Sequence, residues 1–332
     1  MNRHYFFLCV NHNYGLFTYN MIARSVIDMN MEIVQQHNGK INIILHDQQK
    51  EQQCKETTHK QHHEQLHYID DQFATFIGLD HVKEIMREIY ALKLMNGQRD
   101  EYGMRKNKQV LHMMFMGNPG TGKTTIARQL ATVLYELNIL SKGHFIEAER
   151  ADIVGEYIGQ TAQKTRTLIQ KAQGGVLFID EAYSLGRGGH KDFGREAIDT
   201  IVKQMEDYHE DFLLILAGYP GEMEQFLHLN PGLRSRFAYH VSFSDYNLAE
   251  LMRITKQLIT ERDYELTDAA EREIRVHIQE VLYHKPLHFS NARYVRNIIE
   301  KAIRKQAMRL LSTYDVTPKD LKQITRADIS LE

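Results

Sequence analysis

Residues 117–124 read Gly117-Asn118-Pro119-Gly120-Thr121-Gly122-Lys123-Thr124, which is the spacing G-x-x-x-x-G-K-[ST] of a loop that binds nucleotide phosphates. The run before it, 112–116, is short and apolar like a buried strand, and 125–131 is helix-forming. Strand, glycine loop and helix are the context that this motif requires. The competing interpretation is a glycine-rich turn, and a chance match in a chain of this length has odds on the order of one in a hundred.

This context predicts how the loop contacts a nucleotide. Backbone N–H groups and the positive end of the following helix are expected to face the phosphates. Lys123 is expected to reach the β- and γ-phosphates, and the Thr124 hydroxyl to ligate Mg²⁺. With the rest of the loop and Thr125, these residues form the predicted nucleotide-binding set.

A second landmark is the apolar run Val176-Leu177-Phe178-Ile179, which is followed directly by Asp180 and Glu181. A continuous apolar run is typical of a parallel strand that is buried on both faces, and ligands bind at the carboxyl ends of such strands. We expect Asp180 in the Mg²⁺ shell and Glu181 to polarise the attacking water. A surface turn is the alternative, but the strand and helices between Lys123 and Asp180 favour one shared site.

The remaining pattern predicts the fold. Apolar strands are expected at 143–148, 212–217 and 239–243, and helices at 161–173 and 195–208. After Asp245 the apolar spacing becomes helical, over 248–264, 268–282 and 291–311. We therefore predict an α/β protein in which a doubly wound parallel-sheet P-loop module, residues 71–244, precedes a small all-α domain, residues 245–332. Residues 1–70 are predicted to be a variable N-terminal extension or linker.

The N-terminal region contains a Gln/His/Lys-rich tract from Gln48 to His67, which cannot supply core residues. On a helix, several of its histidines would share one face as possible metal ligands, but a solvated polar tract produces the same pattern and is favoured. These histidines are His59, His62, His63 and His67. Residues 39–45 alternate well enough to predict one short strand.

Composition excludes some classes of function. Of the 332 residues, 42% are hydrophobic and 25% are charged, and the net charge of -2 gives no sign of a nucleic-acid binder. Cys9 and Cys54 are the only cysteines, and they do not have the spacing of a zinc site. No apolar run approaches the roughly 20 residues that span a bilayer. We expect a cytoplasmic protein without a membrane span.

Three further groups are candidates on weaker grounds. Tyr157 and Ile158 are bracketed by glycines in an expected loop. Arg234 and Arg236 precede the last strand, and a planar guanidinium suits transition-state phosphate charge, although both could be surface arginines. Arg293 lies apart from the apolar stripe of its helix and could face either nucleotide or solvent.

Together these residues resemble the AAA+ ATPases over roughly residues 70 to 330. The loop and Asp180-Glu181 resemble the Walker A and Walker B motifs, and Tyr157-Ile158 resembles the pore loop. The resemblance implies that Arg234 and Arg236 are arginine fingers acting in trans. It also implies that the all-α domain, residues 245–332, is a lid domain and that Arg293 is its sensor 2 arginine. One departure concerns sensor 1, where Ala217-Gly218-Tyr219 stands in place of a polar Asn or Thr.

Within that superfamily, residues 149–165, 178–185 and 216–219 resemble the CbbX/CfxQ group. The resemblance implies a hexameric, Mg-ATP-dependent remodelling machine with a protein client; one branch activates red-type Rubisco and another is needed for endospore formation. We favour the endospore branch and keep two alternatives, a Rubisco activase and a nucleotide-gated scaffold with little hydrolysis. Nucleic-acid translocation is not favoured, because basic residues do not cluster and a Tyr-Ile loop suits a peptide.

Overall fold

The computed structural model describes residues 29–37, 40–47, 63–105, 110–157, 159–187, 193–208, 212–284 and 289–330. The chain forms two compact units, Met1–Tyr68 and Ile69–Glu332. The predicted nucleotide site and the lid lie in the second unit.

The first unit contains an antiparallel hairpin of β1 (Met29–His37) and β2 (Lys40–Asp47). Its register pairs Met29 with Asp47 and is irregular between Ile33 and Gln35. The strand predicted at 39–45 is β2, whereas β1 was missed although apolar residues alternate with polar ones from Met29 to Ile33.

A helix, α1, covers residues 63–72. It includes His63 and His67, whose ring centroids lie 4.6 Å apart. His59 and His62, and the tract from Gln48 to residue 62, lie outside the described residues. Among the residues that are described, no group of three or more His, Cys, Asp or Glu side chains is placed to hold a metal.

The second unit is built on a parallel sheet of five strands in the order β4-β5-β6-β3-β7. The strands are β3 (Met113–Gly117), β4 (Phe145–Ala148), β5 (Val176–Ile179), β6 (Leu213–Gly218) and β7 (Tyr239–Phe243). The strand carrying the glycine loop, β3, lies between β6 and β7. The carboxyl ends of β3, β5 and β6 therefore meet at one edge of the sheet.

Helices cover the sheet. They are α2 (Asp80–Glu101), α3 (Lys123–Glu136), α4 (Arg150–Ile153), α5 (Gln160–Ala172), α6 (Gly194–Asp207), α7 (Pro220–Leu227) and α8 (Pro231–Arg236). Successive strand residues point to opposite faces, and Met114 and Phe115 are both fully buried. Burial of a side chain such as Phe115 contributes about 1.5–3 kcal/mol. Both faces of the sheet are thus packed, and the predicted α/β class is confirmed.

The lid begins after β7 and is mostly helical. It contains α9 (Leu248–Thr260), α10 (Asp268–His284), α11 (Asn291–Leu311) and α12 (Pro318–Lys322) around its own apolar core. One feature departs from the purely helical pattern: β8 (Glu265–Leu266) and β9 (Gln323–Ile324) form a short parallel pair. Within the described part of the chain, no helix has the length and apolar character needed to cross a membrane.

Candidate nucleotide-binding site

The glycine loop connects the end of β3 to the start of α3. Gly120 and Gly122 have positive φ angles of 70° and 95°, which are unfavourable for residues that carry a Cβ atom. A Cβ atom at Gly117 would lie 2.5 Å from the Phe243 carbonyl oxygen, and one at Gly120 would lie 2.1 Å from the Ser290 carbonyl oxygen. The loop can therefore run this close to β7 and to the lid only with glycine at these positions.

Lys123 is the first residue of α3 and is buried. Its Nζ donates to the carbonyl oxygens of Gly117 and Asn118, each at 2.8 Å. Burial lowers the pKa of Lys123, an effect that the nearby Asp180 carboxylate opposes. An ammonium group held in this way has lost much of its hydration, so an anion placed against it would restore favourable electrostatic interactions.

Asp180 and Glu181 directly follow β5, as predicted. The Glu181 backbone N–H donates to Asp180 Oδ1 at 2.9 Å, and the Asp180 N–H donates to the Ala148 carbonyl oxygen at 3.3 Å. Glu181 has a φ of 45° and a ψ of 44°, a left-handed conformation that costs a non-glycine residue about 1–2 kcal/mol. Such strain is found mainly at functional sites.

The loop, the two carboxylates and the lid enclose a cavity of about 290 Å³. Its walls include Lys123, Thr124 and Thr125 from the loop side and Asp180 and Glu181 from the sheet. The N-terminal turns of α11 contribute Ala292, Arg293 and Arg296. The structure thus brings together residues that are far apart in the sequence, and it places Arg293 at this cavity rather than in solvent alone.

Two tyrosines complete the cavity wall. Tyr219 follows β6 and stacks on Tyr183, with ring centroids 5.7 Å apart and an interplanar angle of 28°. Burial raises the pKa of Tyr219, and the Glu181 carboxylate adds to this effect. Tyr219 therefore presents a protonated hydroxyl, near carboxylates, at the position where the sequence pattern lacks the expected Asn or Thr.

The side chains fit a magnesium nucleotide. The Thr124 hydroxyl and the Asp180 carboxylate line the same cavity and are the hard oxygen ligands that Mg²⁺ prefers. Lys123, Arg293 and Arg296 supply positive charge, and the N-terminus of α3 adds its dipole. This combination of cations, glycine backbone and carboxylates suits a polyphosphate with a divalent cation.

Other predicted residues lie away from this cavity. Neither Arg234 nor Arg236 is among the residues lining it. Arg236 pairs with Glu206 at 2.7 Å and donates to the Gly232 carbonyl oxygen, while Arg234 is exposed. Tyr157 is 68% exposed, and Ile158 lies outside the described residues.

Sequence reasoning missed Tyr183 and Arg296 at this site. Arg296 lies three residues after Arg293 on α11, so the helical spacing that places residues i and i+3 on one face could have identified it. Tyr183 follows Glu181 in a short 3₁₀ helix, Ala182–Gly186. The sequence contains no comparable signal that this short segment faces the cavity.

Comparison with known proteins shows the family to which this chain belongs. Residues 113–245 match the family described as "ATPase family associated with various cellular activities (AAA)", and residues 247–332 match the "AAA lid domain". The chain belongs to the AAA ATPases. Nucleotide binding and ATP hydrolysis are the general chemistry of that family.

Among individual relatives, the stage V sporulation protein K of Bacillus subtilis is 50% identical over 310 residues, which cover 90% of this chain and 96% of that protein. The chloroplastic ribulose bisphosphate carboxylase/oxygenase activase of Cyanidioschyzon merolae is 44% identical over 79% of this chain and 89% of that one. The protein CbbX of Cereibacter sphaeroides is also 44% identical, over 71% and 76% of the two chains. The resemblance to the CbbX/CfxQ group is thereby confirmed.

Proposed function

We propose that this chain is a Mg-ATP-dependent remodelling ATPase of the cytoplasm, which assembles as a hexameric ring and acts on a protein client during endospore formation. The observation that supports hydrolysis is the cavity in which Lys123, the Asp180-Glu181 pair and Arg293 meet. In the proposed domain division, residues 71–244 bind and hydrolyse ATP, and residues 245–332 close over it. Residues 1–70 form a separate extension.

In the proposed mechanism, Lys123 binds the β- and γ-phosphates, and Thr124 and Asp180 hold Mg²⁺. The ion, when bound, neutralises phosphate charge as it develops. Glu181 orients the attacking water and accepts its proton. Arg293 binds the γ-phosphate from the lid, so the position of the lid depends on whether that phosphate is present.

We propose that Arg234 or Arg236 acts in trans, at the nucleotide site of a neighbouring subunit. Neither Arg234 nor Arg236 lines the cavity of its own chain, whereas Asp180 and Glu181 also line a second concavity of about 680 Å³. An arginine from another subunit could reach the carboxylates from that side. If Arg236 acts in trans, a mixture of Arg236→Ala and Lys123→Ala subunits should recover activity. If Arg234 acts in trans, a mixture of Arg234→Ala and Lys123→Ala subunits should do so instead. If neither mixture recovers activity, the assignment is wrong.

The exposed Tyr157 supports a pore loop, in which Ile158 is its predicted partner. An exposed aromatic ring can grip a peptide, and its removal leaves the nucleotide cavity intact. Tyr157→Ala should therefore retain basal ATP hydrolysis and lose client remodelling. Unchanged remodelling would exclude the pore model.

The client is proposed from the relatives. The sporulation protein is more similar to this chain than the Rubisco activase, in both identity and coverage, which favours endospore formation. The alternative, a Rubisco activase, is supported by relatives that are 44% identical. A change in the ATPase rate on addition of a sugar bisphosphate would favour this alternative.

The decisive experiment is client capture. Glu181→Gln keeps the size of the side chain and should bind ATP while hydrolysis falls by about 10²–10⁴-fold. Pull-down with this variant in ATP, followed by mass spectrometry, should recover a sporulation protein and should fail in ADP. Normal ATP turnover by Glu181→Gln would refute the assigned base, and a wild-type chain that assembles with ATP without hydrolysing it would indicate the scaffold.

A further inference from the structure

A group of hydrogen bonds joins the lid directly to the glycine loop. Asp245, which connects β7 to the lid, accepts from Asn118 Nδ2 at 3.0 and 2.9 Å through its two carboxylate oxygens. Its Oδ1 also accepts from Asn291 Nδ2 at 2.7 Å. One carboxylate therefore holds an amide of the loop and an amide of α11. We call Asn118, Asp245 and Asn291 the Asp245 junction.

Asn291 is fully buried and has a φ of 47°, a conformation in which glycine would have no steric cost. Its side chain instead makes hydrogen bonds through both its oxygen and its nitrogen. Oδ1 accepts from the Tyr246 backbone N–H at 2.9 Å, and Nδ2 also lies 2.8 Å from the Phe289 carbonyl oxygen. The side-chain amide of Asn291 thus fixes the start of α11. The positive φ alone would not require asparagine at this position.

Three more bonds reach the loop from the lid side, and one of them runs from Asn291 Nδ2 to the Pro119 carbonyl oxygen at 3.3 Å. The Tyr246 hydroxyl donates to the Thr121 carbonyl oxygen at 3.0 Å, and the Ala292 N–H donates to the Gly120 carbonyl oxygen at 3.1 Å. Arg293 follows Ala292 directly. The guanidinium proposed to bind the γ-phosphate is therefore one residue away from a backbone contact with the loop, and two residues away from the Asp245 junction.

We propose that Asp245 is a positioning residue that holds Arg293 and Arg296 in register with the glycine loop before nucleotide binds. This inference rests on the proposed ATP hydrolysis. Charge-assisted hydrogen bonds are stronger and more directional than neutral ones, so a carboxylate between two amides sets the spacing of the domains. A displacement of about 1 Å at a reacting centre can cost 10²-fold in rate. Asp245 thus acts on turnover through the lid arginines.

The chemistry of the junction permits an exchange experiment. Asn118→Asp places two carboxylates against each other and should separate the lid from the loop. Adding Asp245→Asn restores a complementary pair, because the new amide at 245 donates to the carboxylate at 118 and its oxygen accepts from Asn291. Asp245→Ala removes the acceptor altogether. Asp315→Asn, at an exposed carboxylate in the lid, controls for loss of charge.

Amide hydrogen exchange of nucleotide-free protein and steady-state ATPase kinetics measure the result. In Asn118→Asp and Asp245→Ala, amide exchange at Ala292 should rise at least 10-fold, while exchange at Leu214 in β6 is unchanged. The kcat of both variants should fall at least 10-fold. The ADP affinity of Asp245→Ala should stay within about 3-fold of wild type. The exchanged pair Asn118→Asp/Asp245→Asn should recover the protection of Ala292.

Unchanged exchange at Ala292 in Asp245→Ala would overturn the inference, and so would a double variant whose Ala292 is no better protected than in Asn118→Asp alone. A uniform rise in exchange, including Leu214, would show a merely structural role and would also overturn it. The exchange measurement needs no nucleotide. It therefore decides the role of Asp245 even where the wild-type chain proves not to hydrolyse ATP, an outcome that would refute the proposed function separately.

Discussion

Substitution of Gly120 by alanine tests how closely the lid is packed on the loop. The new Cβ would lie 2.1 Å from the Ser290 carbonyl oxygen and 2.9 Å from the Arg293 nitrogen. Both are backbone atoms, so rotation of a side chain cannot relieve the overlap. The lid must move away by roughly 1 Å to restore ordinary contact. We expect the Ala292–Gly120 hydrogen bond to be lost with that movement.

Gly103 offers a matched control. Its φ of 69° is almost that of Gly120, at 70°, and a Cβ there would meet no atom within 4 Å. Both alanine variants carry the left-handed backbone cost of about 1–2 kcal/mol, partly offset by a less flexible unfolded chain. Only Gly120→Ala also loses a hydrogen bond, about 1 kcal/mol, and close packing. We expect about 1 kcal/mol of destabilisation for Gly103→Ala and about 3 kcal/mol for Gly120→Ala.

Thermal unfolding and ATPase assays measure the difference. In a large domain, each kcal/mol of destabilisation lowers the melting temperature by about 2–4 °C, so Gly120→Ala should unfold several degrees below Gly103→Ala. Its turnover should fall by about 10²-fold, because the lid arginines are displaced by about 1 Å. Equal melting temperatures and equal turnover for the two variants would refute the close approach of lid and loop.

Three further predictions test the site and the lid. Burial lowers the pKa of Lys123 in the free protein, and a bound phosphate must raise it. At a pH between these two pKa values the protein takes up a proton when nucleotide binds, so nucleotide affinity should fall as the pH rises through this range. Tyr219→Phe keeps the stacked ring and removes the hydroxyl, so kcat should fall about 10-fold with melting nearly unchanged. Arg309 donates to the buried Asp328 at 2.7 and 2.9 Å, and Arg309→Met should destabilise the lid by about 3 kcal/mol.

Two of these predictions have a further test. Lys123→Arg does not titrate below about pH 12, so the pH dependence of ADP affinity should disappear, and its persistence would exclude Lys123 as the source. For the lid, hydrogen bonds from Arg309 and Thr325 hold the pKa of Asp328 below its usual value although burial alone would raise it. The resulting stability is present above the unfolded pKa and is lost as pH falls, so Arg309→Met should shift acid unfolding to higher pH. An unshifted acid transition would contradict this.

The sequence predicted those parts of the fold that depend on local pattern. Continuous apolar runs identified β5 and β6, because strands buried on both faces need no alternation. The glycine loop was found from spacing alone, and its neighbours β3 and α3 followed. The four-residue α4 was missed, since so short a helix has almost no periodicity.

What could not be predicted depends on distant pairs. Asn118 and Asp245 are far apart in the sequence, and no periodic signal relates them. The order of the strands, which places β3 beside β6, is set by packing rather than by any one strand. Tyr219 was noticed only as a departure from the expected polar residue, and its place in the cavity wall required the position of β6.

The left-handed backbone at Glu181 bears on how this position can change over evolution or in the laboratory. A glycine there would relax the chain, so selection for stability alone favours removal of the carboxylate proposed as the catalytic base. Selection for ATP turnover acts in the opposite direction. Engineering that maximises thermal stability should therefore hold residue 181 constant, since an inactive chain with glycine at this site would score as an improvement.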